Sequence, residues 1–168
     1  PVVKHSFIVK HCSEIPLIIR KAFHIATTGR PGPVVIDIPK DTTDPDILET
    51  YEFPKNIQMR SYNPVVEGNS KQIAKAAKQI FSSKKPVVYV GGGAVQSDAS
   101  EELKAMATLL RVPVTNTLMG LGAFPGSDKQ CLGMLGMHGT YQANMAMHEA
   151  DLIVAVGARF DDRVTNNP

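Results

Sequence analysis

Tryptophan is absent from the 168 residues, aromatic residues make up 6%, and cysteine occurs only at Cys12 and Cys131. So few aromatics form no stacking platform for exposed bases. Two cysteines this far apart form neither a CxxC pair nor a disulfide framework, which points to a reducing compartment. Like-charge runs are missing too. Net charge is +2 with dispersed basic residues, which argues against a nucleic-acid or membrane surface. The longest apolar stretches, such as Leu152 to Val156, are far too short to cross a bilayer. There is no P-loop, no G-x-S-x-G, no HExxH, no metal-ligand spacing and no defensible Cys–His pair. The first residues, from Pro1, are neither a signal nor a transit peptide. The chain starts without Met and stops just after a dense motif. Both ends together give the expectation of an internal piece of a longer polypeptide.

What remains, 43% hydrophobic and 20% charged residues, suits a soluble globular chain of one domain plus part of another. Ser13 reads as the cap of a helix running to about Thr28, with Ile15, Ile18, Ile19, Ala22, Phe23 and Ala26 at helical spacing and Gly29 at its stop. Pro33 to Pro39 then reads as a strand buried on both faces. From Lys40 to about Gly68 no period lasts, and Pro45, Pro54 and Pro64 punctuate a linker.

A second α/β pattern follows. Ser70 is expected to cap a helix carrying Ile73, Ala77, Ile80 and Phe81. Pro86 to Val90 reads as a strand, Ala99 to Leu110 as a helix with Leu103, Met106, Ala107 and Leu110 along one stripe, and Val112 to Asn116 as a second strand. A glycine-rich stretch precedes a helix over Thr140 to Glu149 and a third strand over Asp151 to Val156. This alternation predicts a doubly wound parallel α/β sheet.

In such sheets ligands bind beyond the carboxyl ends of the strands, where three glycine-bearing segments fall. Gly91-Gly92-Gly93-Ala94 reads either as a phosphate-cradling turn or as a tight strand-to-helix turn. The stretch from Thr117 to Gly122 follows the second strand. Gly157-Ala158-Arg159-Phe160-Asp161-Asp162-Arg163 reads either as an anion-binding loop, with acids holding the arginines or bonding ribose hydroxyls, or as a solvated charged loop. Before the Thr140 helix, Gly133, Gly136 and Gly139 interleave with Met134, Leu135 and Met137. That segment is a flexible loop or a soft apolar wall beside a planar ring. His138 reads as a ligand hydrogen-bonder or a satisfied polar residue. Arg30, in its stiff loop, binds an anion or faces solvent.

These strings resemble a known family. Phe23 to Val34, with Arg30-Pro31-Gly32-Pro33, resembles the end of the pyrimidine-binding domain of thiamine-diphosphate enzymes. Met119 to Pro125, Leu132 to Tyr141 and Gly157 to Thr165 are together similar to the catalytic large subunit of acetohydroxyacid synthase (acetolactate synthase), and the resemblance covers essentially the whole chain. It implies a remnant of the pyrimidine domain over 1–40, an interdomain linker over 41–68, and a Rossmann-like central FAD-binding domain over 69–168, truncated at its C-terminal side. It implies FAD contacts at Arg30, Gly91, Gly92, Gly93, Thr117, Leu118, Met119, Leu135, Gly136, Met137, His138, Gly139, Thr140, Gly157, Ala158, Arg159, Asp161, Arg163 and Val164. Arg163 would also meet the carboxylate of a second 2-ketoacid, Met137 would line that pocket, and Lys4 would lie near the active-site entrance.

No catalytic residue is expected in the chain. The glutamate acting on thiamine diphosphate would precede Pro1, and the Mg²⁺–diphosphate motif would follow Pro168. The resemblance implies a parent that joins pyruvate to a second pyruvate or 2-ketobutyrate with loss of CO₂, in branched-chain amino-acid biosynthesis. Its flavin would do no net redox work. The parent would be a homodimer or larger with a small regulatory subunit, in the bacterial cytoplasm, or in a plastid or mitochondrion if eukaryotic. The chain alone would be inactive, with no nucleic-acid or membrane partner. Open alternatives are another thiamine-diphosphate enzyme, such as a pyruvate oxidase or a 2-ketoacid decarboxylase, and a self-contained nucleotide-binding module.

Overall fold

The computed structural model describes residues 2–47, 50 and 52–165. The chain divides into two compact units, Pro1–Gly68 and Asn69–Pro168.

In the first unit, strands β1 (His5–Ile8) and β2 (Val34–Asp37) pair in parallel, with helix α1 (Ile15–Thr27) between them in sequence. Helix α1 buries Pro16, Ala22 and Ile25. The expected Ser13 cap is not made: Ser13 lies in a 3-10 turn, Cys12–Glu14, and Glu14 precedes α1 without a side-chain bond. Gly29, at φ +60, stands just past the helix as expected. Strand β2 is not buried on both faces. Val34 and Ile36 are half-buried while Val35 and Asp37 are exposed, so the apolar run reports β propensity more than burial. The segment read as a linker returns to this unit. The Tyr62 hydroxyl donates to the Thr28 carbonyl at 2.8 Å, and the Arg20 guanidinium lies 5.1 Å from the Phe53 ring centre.

The second unit is a four-stranded, all-parallel sheet in the order β5-β4-β3-β6, with β3 Pro86–Val90, β4 Val114–Asn116, β5 Cys131–Met134 and β6 Leu152–Val156. Strand β3 is central and almost wholly buried. Its side chains alternate between two cores. Val88 and Val90 pack with Val114, Phe124 and, from helix α4 (Ser100–Leu110), Leu103 and Ala107. Tyr89 packs with Leu135 and with Ala143 of helix α5 (Tyr141–Glu149). Helices thus cover opposite faces, and the sheet is doubly wound.

Three expectations shift here. Helix α2 (Ser70–Ser82) is capped by Asn69, not Ser70: the Asn69 Oδ1 accepts from the N–H groups of Lys71 and Gln72 at 3.1 and 3.2 Å. Its apolar stripe is largely uncovered, with Ile73 59% and Phe81 77% exposed. The glycine-rich stretch contains a strand, β5, which pairs with β4 across an irregularity at Gly133 (φ +81). Among the described residues no helix is long and apolar enough to cross a membrane.

Candidate functional site

The chain reverses its strand order at β3. It moves outward to β4 and β5, then returns to add β6 on the other side. Two backbone turns meet at that point. Gly91 N–H donates to the Val156 carbonyl and Gly93 N–H to the Gly157 carbonyl, both at 2.9 Å. A Cβ at Gly91 would fall on Gly157 and Ala158, and one at Gly93 would lie 2.8 Å from the Gly157 Cα. The glycines here make room for neighbouring backbone in a tight strand-to-helix turn. The helix after them, α3 (Gly92–Gln96), has five residues, so its summed dipole is small. On the β4 side, Thr117 N–H donates to the Val90 carbonyl at 2.8 Å, and a Cβ at Gly92 would lie 3.0 Å from the Met119 Cβ.

Beyond β5 the segment Leu135–Gly139 is tied down at several points. Leu135 N–H donates to the Asn116 carbonyl at 3.3 Å, and Gly139 N–H to the Gly136 carbonyl at 2.9 Å. Thr140 caps α5, accepting from Ala143 N–H at 3.1 Å, and donates its hydroxyl to the Leu132 carbonyl at 2.6 Å. Met137 N–H donates to the Arg163 carbonyl at 3.2 Å. That contact joins this segment to helix α6 (Asp162–Thr165), which forms where the sequence suggests only a loop.

The charged segment after β6 is ordered by its own groups. Asp161 accepts from the Arg159 guanidinium at 2.8 Å. That bond, with the Arg159 charge and the N–H groups of Arg163 and Val164, holds the Asp161 carboxyl below its usual range against partial burial. Here an acid holds an arginine in place, as the sequence pattern allows. The fully buried Tyr89 donates its hydroxyl to the Arg159 carbonyl at 3.2 Å, and its ring lies 5.5 Å from that of Phe160. Burial raises the Tyr89 pKa, which keeps the phenol a donor. Periodicity places Tyr89 in a buried strand but gives no sign of this tether.

Gly91–Gly93, Thr117–Met119, Leu135–Thr140 and Gly157–Val164 therefore occupy one edge of the second unit, at the carboxyl ends of its strands. Leu118, Met119, Met137 and Phe160 are 68%, 74%, 62% and 61% exposed there. His138, Arg159 and Arg163 are exposed as well, while Leu135 and Gly136 are buried and Ala158 and Val164 half-buried. Uncovered large apolar side chains beside two guanidinium groups suit a ligand that is flat and apolar in one part and anionic in another. A hollow of about 480 Å³ lies elsewhere, among Asn116, Leu121, Phe124 and Cys131, and none of these edge residues lines it.

Lys4 and Arg30 belong to the first unit. The Lys4 ammonium donates to the Ile25 and Thr28 carbonyls and to the Tyr62 hydroxyl, an arrangement that caps the C-terminus of α1. Arg30 is exposed.

Residues 73–168 match a family model described as the central domain of thiamine pyrophosphate enzymes. The acetolactate synthase large subunit of Haemophilus influenzae is 60% identical over 167 residues, covering 99% of this chain and 29% of that protein. The isozyme 3 large subunit of Escherichia coli is 56% identical over 167 residues, again covering 99% of this chain and 29% of that protein. A solved structure from Mycobacterium smegmatis, assigned to the thiamin diphosphate-dependent enzymes, superposes with a TM-score of 0.74 at 27% identity, covering 95% of this chain and 30% of that one. The chain thus spans about 29% of the length of these curated relatives.

Proposed function

The chain belongs to the thiamine pyrophosphate enzyme family, and from that premise we propose that it is the central part of an acetolactate synthase large subunit. The whole enzyme would condense pyruvate with a second 2-ketoacid, releasing CO₂, and a small regulatory subunit would be its partner. What carries the proposal is identity of 56–60% along essentially the whole chain, combined with the joining of Met137 to Arg163 at one edge of the sheet.

Both residues suit an acceptor site. The Arg163 guanidinium is exposed and offers a fork of N–H donors matched to a carboxylate. Met137 offers a polarizable apolar surface that accepts a methyl or an ethyl group. Their shared backbone bond keeps the two residues neighbours, so a 2-ketoacid anchored by its carboxylate at Arg163 would lie close to Met137. In the whole enzyme, thiamine diphosphate with Mg²⁺ would be held by residues outside this chain and would supply the electron sink for the loss of CO₂.

FAD fits the edge of the second unit. Exposed Leu118, Met119, Met137 and Phe160 offer contact to a planar ring system, and Arg159, fixed by Asp161, offers donors to a pyrophosphate. The segments 91–93, 117–119, 135–140 and 157–164 would hold it. Gly91, Gly93 and Gly157 contribute by letting the backbone turns close on each other.

The test is product analysis of the full-length protein with pyruvate, thiamine diphosphate, Mg²⁺ and FAD. Acetolactate is expected; acetate or an aldehyde would overturn the proposal. Arg163→Ala should weaken use of either acceptor by about tenfold or more, since a charge-assisted hydrogen bond contributes about 1.5–3 kcal/mol, and, with the carboxylate no longer anchored, should blur the preference between pyruvate and 2-ketobutyrate. An unchanged preference removes Arg163 from that role.

A further inference from the structure

Resting on the acceptor-site reading above, we propose that Asn144 is a positioning residue that sets the spacing of Met137 and Arg163 and thereby tunes which 2-ketoacid is accepted. The Asn144 carboxamide grips both polar groups of one residue. Gly136 N–H donates to its Oδ1 at 2.9 Å, and its Nδ2 donates to the Gly136 carbonyl at 3.1 Å. Two bonds from one rigid amide fix the place and the rotation of that stretch of backbone, where a single bond would leave it free to turn. Gly136 lies at φ +93, and a Cβ there would stand 2.6 Å from the Arg163 carbonyl oxygen. The next N–H along, that of Met137, donates to this same oxygen at 3.2 Å. The backbone that Asn144 holds is therefore the backbone that locates Arg163 and presents Met137.

Asn144 itself is well anchored. It lies in the first turn of α5, its N–H donating to the carbonyl of the capping residue Thr140 at 3.1 Å. The helix gains nothing from asparagine there, because alanine has the higher helix propensity. The position is also exposed, so its replacement leaves no cavity, and the loss falls on the two bonds to Gly136. A side chain that is locally unfavourable in a helix, yet makes two directed bonds to the loop before that helix, is placed for the loop.

The experiment uses the full-length enzyme supplied with pyruvate and 2-ketobutyrate together and reads the ratio of the two condensation products. Asn144→Ala should shift that ratio about three- to tenfold, the range that one or two ordinary hydrogen bonds carry, and lower the unfolding midpoint in urea modestly, since the Gly136 backbone loses both partners. Asn144→Asp, of the same shape, keeps an acceptor for Gly136 N–H but turns a carboxylate oxygen toward the Gly136 carbonyl. It should shift the ratio further, and it carries the test if the alanine variant fails to fold. An unchanged ratio in the folded Asn144 variants, with Arg163→Ala still shifting it, overturns the inference alone. An unchanged ratio in the Asn144 variants and in Arg163→Ala overturns the acceptor-site reading and the inference with it.

Discussion

Gly157 shows what a single missing methyl group does in this protein. Its φ is +58, and a Cβ would fall on the Ala94 nitrogen and close to Gly93. Both obstacles are backbone and cannot swing aside, so the turns after β3 and β6 would have to separate. Gly157→Ala should therefore cost about 3 kcal/mol or more, combining backbone strain with overpacking. Gly122 is the internal control. Its φ is +100, but nothing lies within 4 Å of the Cβ position, so Gly122→Ala should cost only the strain of an unfavourable φ, about 1–3 kcal/mol. Urea unfolding of both variants measures the difference; equal losses would show that close backbone approach is not what Gly157 serves.

At the scale of elements, the start of the central strand is stapled to the start of its neighbour by one carboxylate. Asp151, just before β6, accepts from the N–H groups of Lys84 and Lys85, just before β3, at 2.7 and 2.9 Å. These two bonds lower its pKa, chiefly the one from Lys84. The exposed Lys85–Glu149 pair beside it, at 2.9 Å, likewise lowers the Glu149 pKa. For a depressed carboxyl the sign is fixed. Its contribution to stability is complete above the unfolded value, about 3.9 for aspartate, and is lost as pH falls through the lower folded value. Unfolding midpoints should thus be flat near neutral pH and fall below about pH 4, and Asp151→Asn should flatten that acid limb. An acid limb of the same steepness in the variant would show that Asp151 takes no part in it. Surface screening keeps the effect modest.

For the whole molecule, the open edge of the second unit sets the expectation for flavin. Ligand sites cover most of a ligand's surface, whereas Met119, Met137 and Phe160 stand on an uncovered edge and the chain spans about 29% of its relatives. Affinity falls tenfold for every ~1.4 kcal/mol by which binding is weakened. The 168-residue chain purified by itself should hold little or no flavin; a yellow protein with stoichiometric flavin absorbance would overturn this.

Periodic apolar spacing in the sequence was enough to locate β3, α4 and β6, because each presents a continuous or one-faced apolar pattern within its own length. The motif strings, Leu132 to Tyr141 above all, were enough to identify the family. Four features were decided only by the tertiary structure. Strand β5 exists because β4 offers it a partner across the Gly133 irregularity; with every residue half-buried and a glycine inside, it has no alternation to read. The short β1 is likewise defined by pairing with a strand 29 positions further along, His5 against Val34. Asn69 rather than Ser70 became the cap, a one-residue choice that backbone geometry makes. The purpose of the glycines and of Asn144 depends on which backbone approaches them from across the fold. Local pattern records which face of an element avoids water, but contacts between residues far apart in the chain are settled only when the sheet closes and the strand ends meet.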